Sequence, residues 1–477
     1  MKKFYKALAV ILAVAMLFCC GCSKKEEQAP VVLTIWHYYN GSQQQTFSDL
    51  VSEFNSTYGA ENNIVVKAVS KGGFNDVRNS VLQSANQTVG SDELPDIFSA
   101  YADNAYELYP EGLLADMAPY FTDEERALYI DDYINEGDFS GNGSIMIFPI
   151  GKSTEIIVVN KTDWEPFAAK CSVSEGDLTS WEGIVKVAEK YYEYTDSLTD
   201  EPNDGKAFFG IDSIANYMII GSLQLGTEIF ETADGKVKIN LDHDIFKKLW
   251  DNYYVPFVKG YFTSQGRFRS DDAKTGDLIA LLGSTSSAAF FPKEVTREDG
   301  TTYPIEAMIL TMPVFSGGEK FAAQQGAGMA VIKSDERTER AATEFLKWIT
   351  QPENNLKFVT GAGYLPVRYD ANSIEALDKY KETKASSGNP ISDIIYESTT
   401  VAIDIVNNSR MYTNGAFENS YELRSVLENS LKETAVRDKA VIDELIASGT
   451  DRDEALADFV SEKSFENWFA EFSDKLK

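Results

Sequence analysis

Val31-Val32-Leu33-Thr34-Ile35-Trp36 is a β-rich run, and behind it Phe47, Leu50, Val51, Phe54 and Tyr58 recur at helical spacing. Ile64 to Val69 predicts a second strand, Phe74, Val77, Val81, Leu82 and Ala85 a second helix face, and Ile97 to Ala100 a third strand. Strand and helix in repeated alternation imply βαβ units, hence an α/β fold with helices on the faces of a largely parallel sheet.

Beyond a helical, acidic stretch near Asp123 to Asp132, the β-rich pieces Ile145–Ile150 and Glu155–Asn160 flank Gly151-Lys152-Ser153-Thr154, which predicts a crossing strand. Residues 161–275 are mostly helical in pattern, with loop signals at Asp200–Gly205 and around Gly266, consistent with a second α/β unit. Strand character returns at Leu278–Leu282, Ile309–Val314 and Met329–Ile332. Ala341, Ala342, Phe345, Leu346 and Ile349 then mark an amphipathic helix, and the last hundred residues read as helical.

Working back to the N-terminus, Lys2, Lys3 and Lys6 precede an apolar run from Ala7 to Phe18, the layout of a signal peptide. That run makes about 18 Å of helix against a hydrocarbon core of about 30 Å, too short for a stable span. Cys19-Cys20-Gly21-Cys22 resembles a bacterial lipobox with Cys19 where leucine is usual. The resemblance implies a lipoprotein signal peptide over 1–21, lipid on Cys22 and a tether over 22–30, with cleavage before Cys20 or an ordinary secretory signal as alternatives. Ser23–Pro30 reaches at most about 28 Å, so the folded body is expected on the extracytoplasmic side of the cell membrane, close to it.

The formal charge is −30, with 74 acidic against 44 basic side chains. Such a surface repels phosphate backbones, so no nucleic acid is expected as partner. Length suggests two or three folded units. Cys171 is the one cysteine outside the lipobox-like string, so neither a disulfide framework nor a C-x-x-C pair exists to read.

Much chemistry is excluded the same way. His37 and His243 are the only histidines, which argues against a histidine-rich metal site, and no G-x-S-x-G elbow occurs. Gly151-Lys152-Ser153 imitates the end of a phosphate-binding loop, but Met146 stands where its first glycine belongs and Ile156–Val159 is strand-like where a helix should begin. Gly326-Ala327-Gly328 has Val331 at the third glycine position of a dinucleotide fingerprint, and Asp200–Gly205 fails as a calcium loop at Pro202 and Ile211. Carboxylate pairs such as Asp242 with Asp244 are inevitable among so many acids. No catalytic group, cofactor or metal is expected.

Several segments together resemble the extracellular solute-binding proteins of ATP-binding-cassette (ABC) importers, of the maltose-binding and glycerol-3-phosphate-binding type. They are Trp36-His37, Leu94-Pro95-Asp96-Ile97, Phe148-Pro149 with Ser153-Thr154, Asn160-Lys161, Thr179-Ser180-Trp181-Glu182, Gly276–Ser287, Met312-Pro313, Gly326-Ala327-Gly328, Gln351-Pro352-Glu353-Asn354 and, sharpest, Gly363-Tyr364-Leu365-Pro366-Val367. The resemblance implies a two-lobed, periplasmic-binding-protein-like (type II) fold with interdomain crossing strands and a hinge. Lobe 1 would take 31–150 and 313–363, and a helix-rich lobe 2 would take 151–312 and 364–477. Crossings are expected near Phe148–Ser153, Ile309–Pro313 and Gly363–Val367.

The function so implied is capture of a carbohydrate, or a related polyol or sugar phosphate, in the interlobe cleft by a monomer, and delivery to permease subunits in the membrane. Alternatives are a solute sensor for a signalling partner and a secreted glycan hydrolase or lyase. By similarity to the glycerol-phosphate binder, Ser153, Ser284, Gly326, Tyr364 and Arg410 match ligand-holding positions. Phe74 replaces a ligand-binding tyrosine there and Ala102 a glutamate. Trp36, His37, Tyr101, Asp103 and Tyr217 are further candidates from their placement after strands or in the second lobe. Each has a bland alternative: core packing for Trp36 and Tyr217, a satisfied loop histidine for His37, backbone caps for Ser153 and Ser284, a turn for Gly326, a surface ion pair for Arg410 and a helix start for Asp103.

Overall fold

The computed structural model describes residues 29–233, 236–388 and 390–477. The leader, Cys22 and most of the tether lie outside these residues.

The organising strands are β1 (Val31–His37), β2 (Ile64–Ser70), β3 (Ile97–Ala100), β4 (Glu155–Asn160), β5 (Phe209–Ile211), β6 (Ala280–Ser284), β7 (Ala307–Thr311), β8 (Phe321–Ala323), β9 (Gly328–Val331) and β10 (Arg410–Tyr412). They divide between two sheets and a small connecting pair. The first sheet has the order β9-β3-β1-β2, with β1 parallel to β2 from the pair Val31/Ile64 and to β3 at Ile35/Ile97, and β9 antiparallel to β3. The second has the order β7-β4-β6-β5, with β4 antiparallel to both neighbours and β5 parallel to β6.

Each sheet carries its own core. In lobe 1 the helix Gly41–Ser56 buries Phe47, Leu50, Val51 and Phe54, one apolar face at three- and four-residue spacing. The helix Glu336–Ile349, capped by Asp335 accepting from the amides of Arg337 and Thr338, lays Ala342, Phe345, Leu346 and Ile349 into the same cluster. Lobe 2 is larger and richer in helices. Its core joins Ile156–Val159 of β4 to Trp181, Ile184 and Val187 of the helix Trp181–Asp196, to Trp250 and Tyr254 of His243–Val258, and to Leu427 and Leu431 of Ser420–Ala447.

Three segments pass between the lobes and are bonded side by side. Lys152 and Leu365 exchange backbone hydrogen bonds of 3.1 and 2.5 Å, and Ser153 and Gln325 exchange bonds of 2.9 and 2.8 Å. Ile145–Ile150 is an irregular, bent approach with one bridge, Phe148 to Met329, in place of the expected strand. The second crossing falls at residues 324–327, later than the Ile309–Pro313 expected from sequence. β7 is held in lobe 2 by pairing with β4, and the chain then stays there because Gln224 clamps it: its Nε2 donates to the carbonyls of Pro313 (3.1 Å) and Phe321 (3.3 Å), and its Oε1 accepts from the Phe315 amide (3.1 Å). Residues 313–323 therefore belong with lobe 2, and Phe315, Phe321 and Ala322 sit in its core.

Candidate functional site

Where the lobes face each other they leave a cleft of about 320 Å³. Lobe 1 contributes Phe74, Tyr101, Ala102 and Asp103 from the starts of two helices that follow β2 and β3. The hinge contributes Gln324 and Gln325. Lobe 2 contributes Asn216 and its neighbours on the helix Ile214–Gln224, the segment Tyr412–Gly415, and Tyr421, Arg424, Ser425 and Glu428 from one face of the long helix Ser420–Ala447.

The lobe 1 wall is aromatic. Phe74 meets Tyr101 edge to face with centroids 4.7 Å apart, Tyr38 backs Phe74 at 5.9 Å, and the Tyr38 and Tyr364 hydroxyls lie 3.0 Å apart. Tyr364 thus supports the wall from behind, itself stacked on Phe358. Burial pushes the Tyr101 phenol up to about 12, so it stays a neutral hydroxyl.

The lobe 2 wall is polar and ordered by a relay. Arg424 Nη2 donates to Asn216 Oδ1 at 2.5 Å, and Asn216 Nδ2 donates to Glu155 Oε1 at 3.0 Å. Burial lifts the Glu155 carboxyl to about 7, against the opposing pull of the Asn216 hydrogen bond and of Arg424. Glu428 Oε2 accepts from the Ala215 amide at 2.8 Å and from Ser213 Oγ at 3.2 Å, capping the helix that carries Asn216. Across the cleft Asp103 is raised by burial, partly offset by the Asn104 amide and by Arg424 and Arg78.

Tyr101 and Asp103 are thus the sequence candidates that line the cleft. Trp36 does not: it lies in a lobe 1 core cluster with Val77, Val81 and Phe98, with the Lys71 ammonium 3.8 Å from its ring centre. His37 is buried between Tyr39 and Phe47, which drives its pKa down to about 4. Tyr217 is lobe 2 core, its hydroxyl donating to the Leu249 carbonyl at 2.7 Å and its ring 4.7 Å from Trp181. Alternation on a buried strand and one turn of an apolar helix decide these three positions in favour of packing.

Ser153 and Gly326 are hinge residues. Gly326 has φ +89°, and a Cβ there would lie 2.9 Å from the Gly151 carbonyl oxygen. Its own carbonyl accepts from Lys152 Nζ at 2.8 Å, and Lys152 is ion-paired with buried Glu136. Ser284 accepts from the Ser286 amide at 3.3 Å and caps a short turn. Arg410 is exposed, bonded to Glu319 at 3.2 Å and lying over Phe321, the surface pairing that the acidic excess makes easy.

Sequence reasoning missed Asn216, Arg424, Glu428, Gln325 and Asn414. Two signals were present: Asn216 interrupts the otherwise apolar run Ile214–Ile220 near its start, and Tyr421, Arg424, Ser425 and Glu428 form a polar stripe at helical spacing flanked by Leu427 and Leu431.

Two α/β lobes, three bonded crossings and a cleft walled by both lobes define a binding-protein architecture. A family model described as bacterial extracellular solute-binding protein matches residues 49–385, and the chain belongs to that family. Among solved structures it is similar to the cyclic α-maltosyl-1,6-maltose binding protein of Arthrobacter globiformis (16% identity, 94% of this chain and 98% of that one, TM-score 0.65). It is also similar to UgpB of Mycobacterium tuberculosis in complex with glycerophosphocholine (16%, 94% and 99%, 0.65) and to Lmo0181 of Listeria monocytogenes in complex with cycloalternan (15%, 94% and 99%, 0.63). At such identity the likeness speaks to the fold. No curated protein sequence matches the chain.

Proposed function

We propose that the protein captures a carbohydrate, or a related polyol or sugar phosphate, in the interlobe cleft and hands it unaltered to the permease subunits of an ABC importer. It works as a monomer held to the extracytoplasmic face of the cell membrane by lipid on Cys22. The observation that carries this reading is the pairing of an aromatic wall, Phe74 and Tyr101, edged by Asp103, with a polar wall, Asn216, Asn414 and Arg424, on opposite sides of a hinged gap with Gln325 at its hinge. A sugar presents apolar C–H faces rimmed by hydroxyls, and such a gap offers a surface for each. The sugar ligands of the Arthrobacter and Listeria proteins are in keeping with it.

Isothermal titration against a panel of oligosaccharides, polyols and sugar phosphates tests it. A saturating isotherm with intact ligand recovered, and compaction in solution scattering, are the expected results. Silence across the panel, or release of new reducing ends, overturns it. The anchor is tested separately: Cys22→Ser should move the protein from the membrane fraction to the medium.

A further inference from the structure

The fixed-polarity groups of the cleft are unequal. Asp103 and Glu428 can only accept hydrogen bonds when ionised, and Arg424 is the one cation among the described residues that line the gap. Among the described residues Asp103 has the Asn104 amide as its one hydrogen-bond partner, at 2.8 Å, while Arg424 gives one Nη2 hydrogen to Asn216 at 2.5 Å, with Glu155 directly behind, and keeps its other donors. Two nearby phenols are also spent on the protein, Tyr412 donating to Glu228 at 2.9 Å and Tyr421 to Asn75 at 3.2 Å. What remains open is amphoteric. The amides of Gln325 and Asn414 each keep a buried oxygen without a donor, and an amide can turn either end to a ligand.

We infer that the cleft selects a ligand that is rich in hydroxyls and carries no phosphate or carboxylate, and that Asp103 is a specificity residue that turns anions away. This narrows the proposed function and rests on it. A phosphate presents acceptors alone, against an ionised carboxylate and a guanidinium that shares the cleft with two carboxylates, Asp103 and Glu428. A phosphate oxygen placed against Asp103 brings it no hydrogen and adds like-charge repulsion in a site of reduced dielectric. A hydroxyl donates to Asp103 and accepts from Arg424, so neutral sugars meet no such conflict. An amino sugar, whose ammonium donates to Asp103, meets none either.

The test pairs neutral sugars with their phosphorylated counterparts, such as maltose with maltose 1-phosphate and glucose with glucose 6-phosphate, by titration of the full-length protein. A neutral member of at least one pair should bind tenfold or more tightly than its phosphate ester, and glucosamine should be no weaker than glucose. Asp103→Asn, nearly isosteric, should cut the preference severalfold by restoring the ester. Equal or tighter binding of the esters by the unmodified protein overturns the inference while leaving carbohydrate capture standing. Silence toward all of these probes and the wider panel overturns both. Mass spectrometry of small molecules released from the purified protein gives an independent reading: an anionic sugar there counts against the inference, a neutral or cationic one for it.

Discussion

The guanidinium of Arg78 lies 4.1 Å from the ring centre of Tyr421, and the two residues belong to opposite lobes. Arg78 is also bonded to Glu107 on its own lobe at 2.8 Å and reaches Glu422 at 3.6 Å, while the Tyr421 hydroxyl donates to Asn75. The contacts of Arg78 with Tyr421 and Glu422, and of Tyr421 with Asn75, bridge the mouth of the cleft and exist only while the lobes are together. The closed form therefore draws part of its stability from the protein's own rim, leaving less for the ligand to supply.

Removing that bridge should weaken binding with little effect on folding. Tyr421→Ala is expected to forfeit about 0.5–1 kcal/mol of closure, a loss of roughly two- to fivefold in affinity for whichever sugar the titrations identify. The melting temperature of the unliganded protein should stay within a degree or two. Unchanged affinity would show that the rim plays no part in closure.

The hinge ion pair makes a larger prediction. Lys152 and Glu136 are both nearly fully buried, with side-chain exposures of 1% and 3%. Lys152→Met should cost about 3–5 kcal/mol, because Glu136 is left charged without its counter-ion. Adding Glu136→Gln should recover a substantial part. Urea titration of the two variants checks both halves, and a double variant no better than the single one would contradict the account.

Gly326 predicts a backbone effect. At φ +89° with the Gly151 carbonyl 2.9 Å from a built Cβ, Gly326→Ala should destabilise by about 1–3 kcal/mol. Gly300, also at positive φ but with nothing near its missing Cβ, should tolerate alanine better. The difference between their denaturation midpoints is the measurement.

Two buried groups titrate in opposition. Glu155 rises from 4.5 to about 7 in the fold, so its contribution to stability is fully present below pH 4.5 and is lost as pH climbs toward 7. His37 falls from 6.5 to about 4, so its contribution is present above pH 6.5 and is lost as pH drops toward 4. In the native protein the two slopes offset. Glu155→Gln should leave a protein that weakens on acidification from pH 6.5 to 4, and His37→Phe one that weakens on raising pH from 4.5 to 7. Melting curves across that range should diverge in opposite directions; parallel curves would falsify the assignment.

Much of this architecture was legible in the sequence because period and propensity act locally. The β1–helix–β2 order follows from the apolar spacing of Phe47, Leu50, Val51 and Phe54, and the hinge at Lys152 and Leu365 from motifs placed where strands end. What escaped was set by long-range contacts. The Gln224 clamp on residues 313–321 moves a crossing, and no local signal marks a glutamine that will meet a segment some 90 residues away. The cleft itself was half visible. Tyr101 and Asp103 follow a strand in the position a binding residue would take, and Phe74 and Ala102 were marked through the family likeness. Asn216 and Arg424 meet only because two helices about 200 residues apart in the chain are packed together. Trp36, His37 and Tyr217 show the converse, since an aromatic in a strand or helix announces bulk and not direction.

The helix Ser420–Ala447 gives five residues to the cleft, at positions 420, 421, 424, 425 and 428, while Leu427 and Leu431 beside them seat it in lobe 2. Recognition and scaffold share this rod, for Arg424 and Glu428 also tie it to the helix Ile214–Gln224. Randomising codons 421 and 425, which carry no bond to that helix, samples new cargo preferences while keeping the contacts by which the rod docks, which makes this stretch a compact target for converting the protein into a reagent for chosen small molecules.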